Sequence, residues 1–275
     1  MRRVFNTVLR YLTAVPETRA ILRRIPFGSA EMRTAFELWS RPPYAYGVWN
    51  AAQQARALGL KMMSAIEFGV AGGNGLLALE NISEKISAEI GVQIIVYGFD
   101  SGIGMPQASD FRDLPHVWQR GFYRMDAEKL RRRLGANTHL VLGEVSNTIP
   151  ETASSIPPVG FIAFDLDYYS STKSAFNIFD TESSRRLPRV YCYFDDIMYP
   201  EWACHNPYVG ELRAISEFNE EHNTMKLSPI HLLRGMRPHP QAWNDQIYIL
   251  HDFEHPDYNT NLTIRRGAVT EKPLK

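Results

Sequence analysis

The sequence predicts one doubly wound α/β domain with a mostly parallel sheet, preceded by an N-terminal helical arm. Three observations carry this. Between residues 48 and 250 short apolar runs alternate with segments of helical periodicity, the pattern of a parallel sheet covered on both faces. The first apolar run stops at a glycine cluster, Gly69, Gly72, Gly73 and Gly75, and a helix-periodic segment follows at once. Acids stand directly after later runs, at Asp100, Asp165 and Asp195-Asp196, which is where open sheets of this class bind their ligands.

The elements follow in order. Residues 1–45 are expected to form the arm: Arg2, Arg3, Arg10, Arg19, Arg23 and Arg24 face a single acid, Glu17, with Val4, Phe5, Val8, Leu9 and Leu12 at helical spacing. That pattern reads as a basic amphipathic helix docked on the domain or on a second subunit, with an organelle transit peptide as the alternative. Arg41-Pro42-Pro43 is read as a break, and residues 48–60 as a helix ending at Gly59. The main domain is expected over residues 46–260. Strands are expected at 64–68, 93–99, 139–142, 161–164 and 190–194, with a helix from Gly75 to residue 90 completing the first βαβ unit. A late edge strand is expected at 246–250, and a polar tail at 261–275.

Composition excludes several classes. The apolar fraction is 44% and the charged fraction 22%, as in ordinary globular proteins, so disordered and fibrous chains drop out. Thirty basic residues balance thirty acidic ones, which leaves no overall field to attract nucleic acid or an anionic membrane. No nucleic-acid partner is expected. Cys192 and Cys204 form no paired motif, so neither a disulfide framework nor a thiolate metal site is indicated. No apolar run reaches the roughly 18 residues of a membrane span, and a cytoplasmic, homo-oligomeric protein is expected.

The residues that can carry chemistry sit after the strands. The turn Glu67-Phe68-Gly69-Val70-Ala71-Gly72-Gly73-Asn74-Gly75 lets a ligand approach the backbone at a helix N-terminus, and Asp100 is placed to accept hydrogen bonds from both ribose hydroxyls of a nucleoside. Gly73-Asn74-Gly75-Leu76-Leu77-Ala78 also satisfies a loose G-x-G-x-x-A dinucleotide pattern, so a nicotinamide-dependent oxidoreductase is a rival. Against it, the pattern starts four residues beyond Gly69 and gives Glu67 no purpose. Asp165, Asp167, Asp195 and Asp196 crowd neighbouring strand ends, where their mutual repulsion calls for a hard divalent cation such as Mg²⁺. Asp167 is the one expected to serve the loop instead. His205 is a candidate general base beside that metal, with a surface histidine as the plain alternative. Arg131-Arg132-Arg133 reads as a solvated helix face that could also meet an anionic acceptor.

Together these motifs resemble the macrocin O-methyltransferase-like class I methyltransferases, which use S-adenosylmethionine on a Rossmann-like fold. Glu67, Gly69, Val70 and Gly73 match the family's E-x-G-V-x-x-G; Gly98 to Pro106 match its G-F-D-S-x-x-G-x-P; Asp165, Asp167, Tyr169, Ser171 and Thr172 match D-x-D-x-Y-x-S-T; and Asp195-Asp196 match its D-D pair. Thr148-Ile149-Pro150 stands where the family has T-L-P, and the resemblance covers about residues 65–222. It implies methyl transfer from S-adenosylmethionine to a hydroxyl of a small polyhydroxylated acceptor, such as a sugar unit of a natural product or glycan. It also implies a cofactor held by Glu67, Gly69, Val70, Gly73, Asp100, Ser101 and Glu144, and Mg²⁺ held by Asp165, Asp195 and Asp196, with Asp165 taking the hydroxyl proton. Tyr44 and Tyr46 are then candidates to cover the sulfonium, against a role in packing. A non-catalytic binding protein that keeps the fold is the remaining alternative. The chain departs from the family at Ala71-Gly72, in place of W-R, and at Gly102-Ile103, in place of F-E.

Overall fold

The structure, a computed structural model, describes residues 2–262, with side chains described from Thr7 onward. Residues 263–275 of the expected tail, and the side chains of Arg2, Arg3, Val4 and Phe5, lie outside the described part. The arm consists of α1 (Arg2–Ala14), α2 (Pro16–Arg24) and α3 (Ala30–Ala35). It is docked on the domain. Leu9 is buried, Thr13 Oγ1 lies 2.7 Å from His239 Nε2, and Arg19 Nη1 lies 3.3 Å from the fully buried Glu37 carboxylate.

Helix α4 (Pro42–Leu58) begins six residues before the expected start at 48. Proline has no N–H to lose in a first turn and its φ is already helical, so Pro42-Pro43 opens the helix instead of breaking the chain ahead of it. The expected boundary at 45/46 therefore falls inside α4. The C-terminus is as expected, with Gly59 left-handed at φ 84°. Alternation then proceeds through β1 (Met62–Phe68), α5 (Asn74–Ile90), β2 (Gln93–Asp100), α6 (Ala127–Arg131), β3 (Thr138–Leu142), α7 (Val145–Thr152), β4 (Val159–Phe164), α8 (Tyr169–Ala175) and β5 (Arg186–Phe194). The chain ends with α9 (Gly210–Glu221), β6 (Met225–Pro229), α10 (Leu233–Met236) and β7 (Ile247–Asp252).

The strands form one doubly wound sheet of order β3-β2-β1-β4-β5-β7-β6. Strands β1 to β5 pair in parallel, and the winding reverses between β1 and β4. The expected late edge strand is corrected: β7 is inserted antiparallel between β5 and β6, and β6 forms the edge. A strand's own alternation shows which faces are buried, not which neighbours it has, and β6 reads as loop because Ser228 and Pro229 are exposed.

Side-chain alternation assigns the two faces. Met63 and Ala65 of β1, with Phe161 and Ala163 of β4, pack beneath α4 and α5. Ile66, Phe68, Ile162 and Phe164 pack with Phe176, Phe179 and Phe218 on the opposite face. The last residues of β1, β4 and β5 and the penultimate residue of β2 are all phenylalanine. Phe99, Phe68, Phe164 and Phe194 stand side by side in register, fully buried, with ring centroids 5.0, 5.6 and 4.7 Å apart in that order. This row is the dry floor beneath the strand ends.

Candidate functional site

Just past that floor, at the reversal point, lies a cavity of about 690 Å³. The residue after each phenylalanine is Gly69, Asp100, Asp165 or Asp195, so the row delivers one turn and three carboxylates to a common rim. Period two also explains Glu67, which shares the α4/α5 face with Met63 and Ala65. There it is buried, and Tyr44 Oη donates to its Oε1 at 2.6 Å. Burial pushes the Glu67 carboxyl up to about 7, against the lowering effect of the Tyr44 bond. Its Oε2 is buried with no hydrogen-bond partner among the described residues.

The glycine turn is shaped by close approach. A Cβ on Gly69, at φ 86°, would sit 1.7 Å from the Asp165 carbonyl oxygen, and one on Gly75 would sit 1.9 Å from Glu67 Oε1. Gly73, left-handed at φ 84°, is the N-cap of α5 and does not itself line the cavity. The first-turn N–H groups of α5, unpaired within the helix, open beside Gly72, Asn74 and Gly75, which do line it. The dinucleotide-like pattern thus starts at the α5 N-cap, five residues beyond the end of β1, and not in a tight strand-to-helix turn. Asp100 ties two loops together: Oδ2 accepts from Ala71 N–H at 2.8 Å and Oδ1 from Gly102 N–H at 2.6 Å. Each oxygen keeps a second lone pair. Ser101 donates to the Gly104 carbonyl, and Glu144, at the start of α7, is exposed on the same lining.

On the other side of the reversal point, carboxylate oxygens of Asp165, Asp195 and Asp196 lie within 4.8 Å of one another. Asp165 and Asp195 continue the parallel ladder, their N–H groups donating to the carbonyls of Phe68 and Phe164 at 3.0 Å each. Asp196 turns to the opposite face, where its N–H donates to Glu211 Oε2 at 3.1 Å. Asp167, left-handed at φ 60°, donates its N–H to Asp196 Oδ2 at 2.9 Å and so orients a neighbour, as expected of a loop-serving acid. Burial, and then the neighbouring aspartates, push the carboxyls of Asp165 and Asp196 well above the ordinary range and that of Asp167 up to about 8. Glu211 is raised by burial and by Asp196, and its Oε1 has no partner among the described residues. So much buried, all-oxygen acidity fits a hard divalent cation.

The lining also takes in Arg41, Met105, Trp118, Tyr123, Tyr199 and Pro200. The 101–126 loop that carries three of these is pinned by Asp113, a buried acid accepting from Ser109 N–H, Ser170 N–H and Ser170 Oγ at 2.7 to 2.9 Å. His205 does not line the cavity; its Nε2 is bonded to the Tyr199 carbonyl at 2.9 Å. Tyr44 is fully buried against Phe161 and Tyr193, and Tyr46 packs on Tyr191 and Trp243, which is the packing alternative for both. Arg132 pairs with Glu128 on an exposed helix face. Asp113 and Glu211 are absent from the sequence reading, and Arg41 enters it only as part of a chain break. For Glu211 a signal existed, an acid in the first turn of a helix directly after a glycine.

No family model matches the chain, and no curated protein matches it. Among solved structures it is similar to the O-methyltransferase NovP, at 14% identity over 80% of this chain and 90% of that one, with a TM-score of 0.49. It is similar to the calicheamicin methyltransferase CalS11, at 20% identity over 81% and 88% of the two chains, with a TM-score of 0.47. A third is the mycinamycin-pathway methyltransferase MycE in complex with Mg, SAH and mycinamycin VI, at 10% identity over 77% and 50%, with a TM-score of 0.39. Chemistry has to be read from the site itself. Among the described residues no helix is long and apolar enough to cross a membrane.

Proposed function

We propose that the protein transfers a methyl group from S-adenosylmethionine to a hydroxyl of a small polyhydroxylated acceptor, with a divalent cation, Mg²⁺, held by Asp165, Asp195 and Asp196. One observation carries the reading: a glycine turn with a ribose-ready acid and a three-carboxylate cluster open into the same cavity from opposite sides of the reversal point. Glu67 Oε2, a buried acceptor without a partner on the cavity wall, suits an ammonium donor such as that of the methyl donor's amino-acid end. When bound, S-adenosylmethionine supplies an electrophilic methyl on a sulfonium, and the cation supplies a positive charge that lowers a hydroxyl's pKa.

The chain's residues then have separable tasks. Gly69, Val70 and the N-terminus of α5 cradle the donor, with Asp100, Ser101 and Glu144 at its nucleoside end. Asp165 stands where the two halves meet, since its carbonyl faces Gly69 and its carboxylate faces Asp195, which supports giving it the hydroxyl proton. Trp118, Tyr123, Tyr199 and Pro200 give the acceptor side apolar walls with few fixed polar groups, as small-molecule sites require. Holding the reactants in line contributes several kcal/mol, on the order of what oriented intramolecular reactions gain.

The test is calorimetry with S-adenosylhomocysteine and with NADH, followed by turnover on a panel of glycosides with and without Mg²⁺. S-adenosylhomocysteine is expected to bind and NADH not to compete. Asp195→Ala is expected to lower turnover by roughly 10²-fold or more with cofactor binding little changed. Turnover indifferent to both Mg²⁺ and Asp195→Ala sinks the metal assignment, and NADH binding in place of S-adenosylhomocysteine sinks the methyl-transfer reading.

A further inference from the structure

The charges around the cavity are lopsided. Its lining holds seven carboxylate side chains and, among the described residues, one cationic side chain, Arg41. Arg41 is the residue immediately before α4, and the α4 start fixes where it points. Tyr44, within the first turn, sets its ring under the guanidinium, 5.3 Å from carbon to centroid, while its hydroxyl is spent on Glu67. The guanidinium is therefore held over the β1 end of the cavity. The carboxylates whose charge reaches it are Asp165, Glu67 and Asp195. None of them comes within the 4.0 Å of an ion pair, and no described residue accepts a hydrogen bond from it. A planar five-donor fork, half-buried and pointed into an acidic cavity without a partner, is an arrangement that suits a carboxylate brought by a ligand.

We propose that Arg41 anchors the α-carboxylate of the methyl donor, a subsite that rests on the reading that this cavity binds S-adenosylmethionine. The layout fixes the direction. Asp100 and Glu144 stand at the ends of β2 and β3, whereas Arg41 stands with Glu67 and Asp165 across β1 and β4. A nucleoside seated at Asp100 extends its 5′ chain toward β1, and its terminal carboxylate arrives at the Arg41 end. The donor carries one anionic group, and every other ionised side chain on the lining repels it. The same fork would discriminate against nucleoside thioethers that lack the amino-acid portion.

Calorimetry tests this with two ligands that share the nucleoside and thioether, S-adenosylhomocysteine and 5′-deoxy-5′-methylthioadenosine, the second lacking the amino-acid portion. Arg41→Gln is expected to weaken S-adenosylhomocysteine about 10- to 100-fold, the range for a charge-assisted bond, and to leave the second ligand nearly unchanged; Arg41→Lys is expected to fall between. A third arm needs no variant. S-adenosylhomocysteine with its carboxylate converted to the amide is expected to show the same loss on the unaltered protein. Equal losses for both ligands on Arg41→Gln, or an amide that binds as tightly as the acid, would overturn the anchor. If the unaltered protein binds the nucleosides but not more tightly when the amino-acid portion is present, the anchor fails alone; if it binds neither, the cofactor reading fails with it.

Discussion

Glu67 is held from one side only. It is buried on the α4/α5 face, braced by Tyr44 on one oxygen and unpartnered on the other. Burial pushes its carboxyl up to about 7 from an ordinary value of 4.5. Between those two values the folded state binds more protons than the unfolded state, so the group makes stability fall as pH rises from about 4.5 to about 7. Glu67→Gln keeps an acceptor for Tyr44 and removes that slope. Urea unfolding should find the variant more stable than the unaltered protein by about 3 kcal/mol at pH 8, with the difference vanishing near pH 4. A difference independent of pH refutes the raised titration. Glu67 was legible in the sequence as an acid ending a strand, but its partner Tyr44 was not. Tyr44 lies in the first turn of α4, and Pro42-Pro43 reads as a break until the helix is seen to start there.

At the scale of elements, the junction of β1, α5 and β4 depends on atoms that are missing from glycine. Gly69→Ala would put a methyl carbon against the Asp165 carbonyl and force a side chain to a positive φ, so β1 and β4 would have to part where the two halves of the site join. The expected loss is more than about 3 kcal/mol of stability with cofactor binding abolished, read from thermal unfolding and calorimetry; an alanine variant of normal stability contradicts the close approach. The parallel elements were legible because strands β1, β2, β4 and β5 carry apolar runs bounded by glycine or acid. The placement of β7 was not, because antiparallel insertion depends on which strand it meets, and β6 is short and half exposed. Glu211 was missed for a related reason. Its importance comes from meeting the Asp196 N–H across the fold, a contact that no local pattern encodes.

Across the whole molecule, the arm and the segment before β7 close on one buried charge. Glu37 takes Arg19 from α2 at 3.3 Å and faces Arg237 at 3.6 Å, with its side chain fully buried. Glu37→Ala leaves two guanidinium groups near one another without their shared carboxylate, and is expected to cost about 3–5 kcal/mol and to expose α1 and α2 to limited proteolysis. Unchanged stability and an intact digestion pattern would show that Glu37 is not what holds the arm to the domain. The basic bias of the arm was visible in the sequence, yet its docking acid was not, since a lone glutamate carries no sign of being buried. The line of phenyl rings has a wider implication. Each ring fixes the height at which its strand surrenders to a loop, so sliding any strand by one position would carry a ring out of the row to the α4/α5 face and swing its acid to the wrong side of the sheet. The glycine-turn end of the cavity and the acidic corner thus share one ruler and cannot be adjusted separately. A change in what the cavity admits has to be written in the loops above, residues 101–126 and 197–209, while the floor stays as it is.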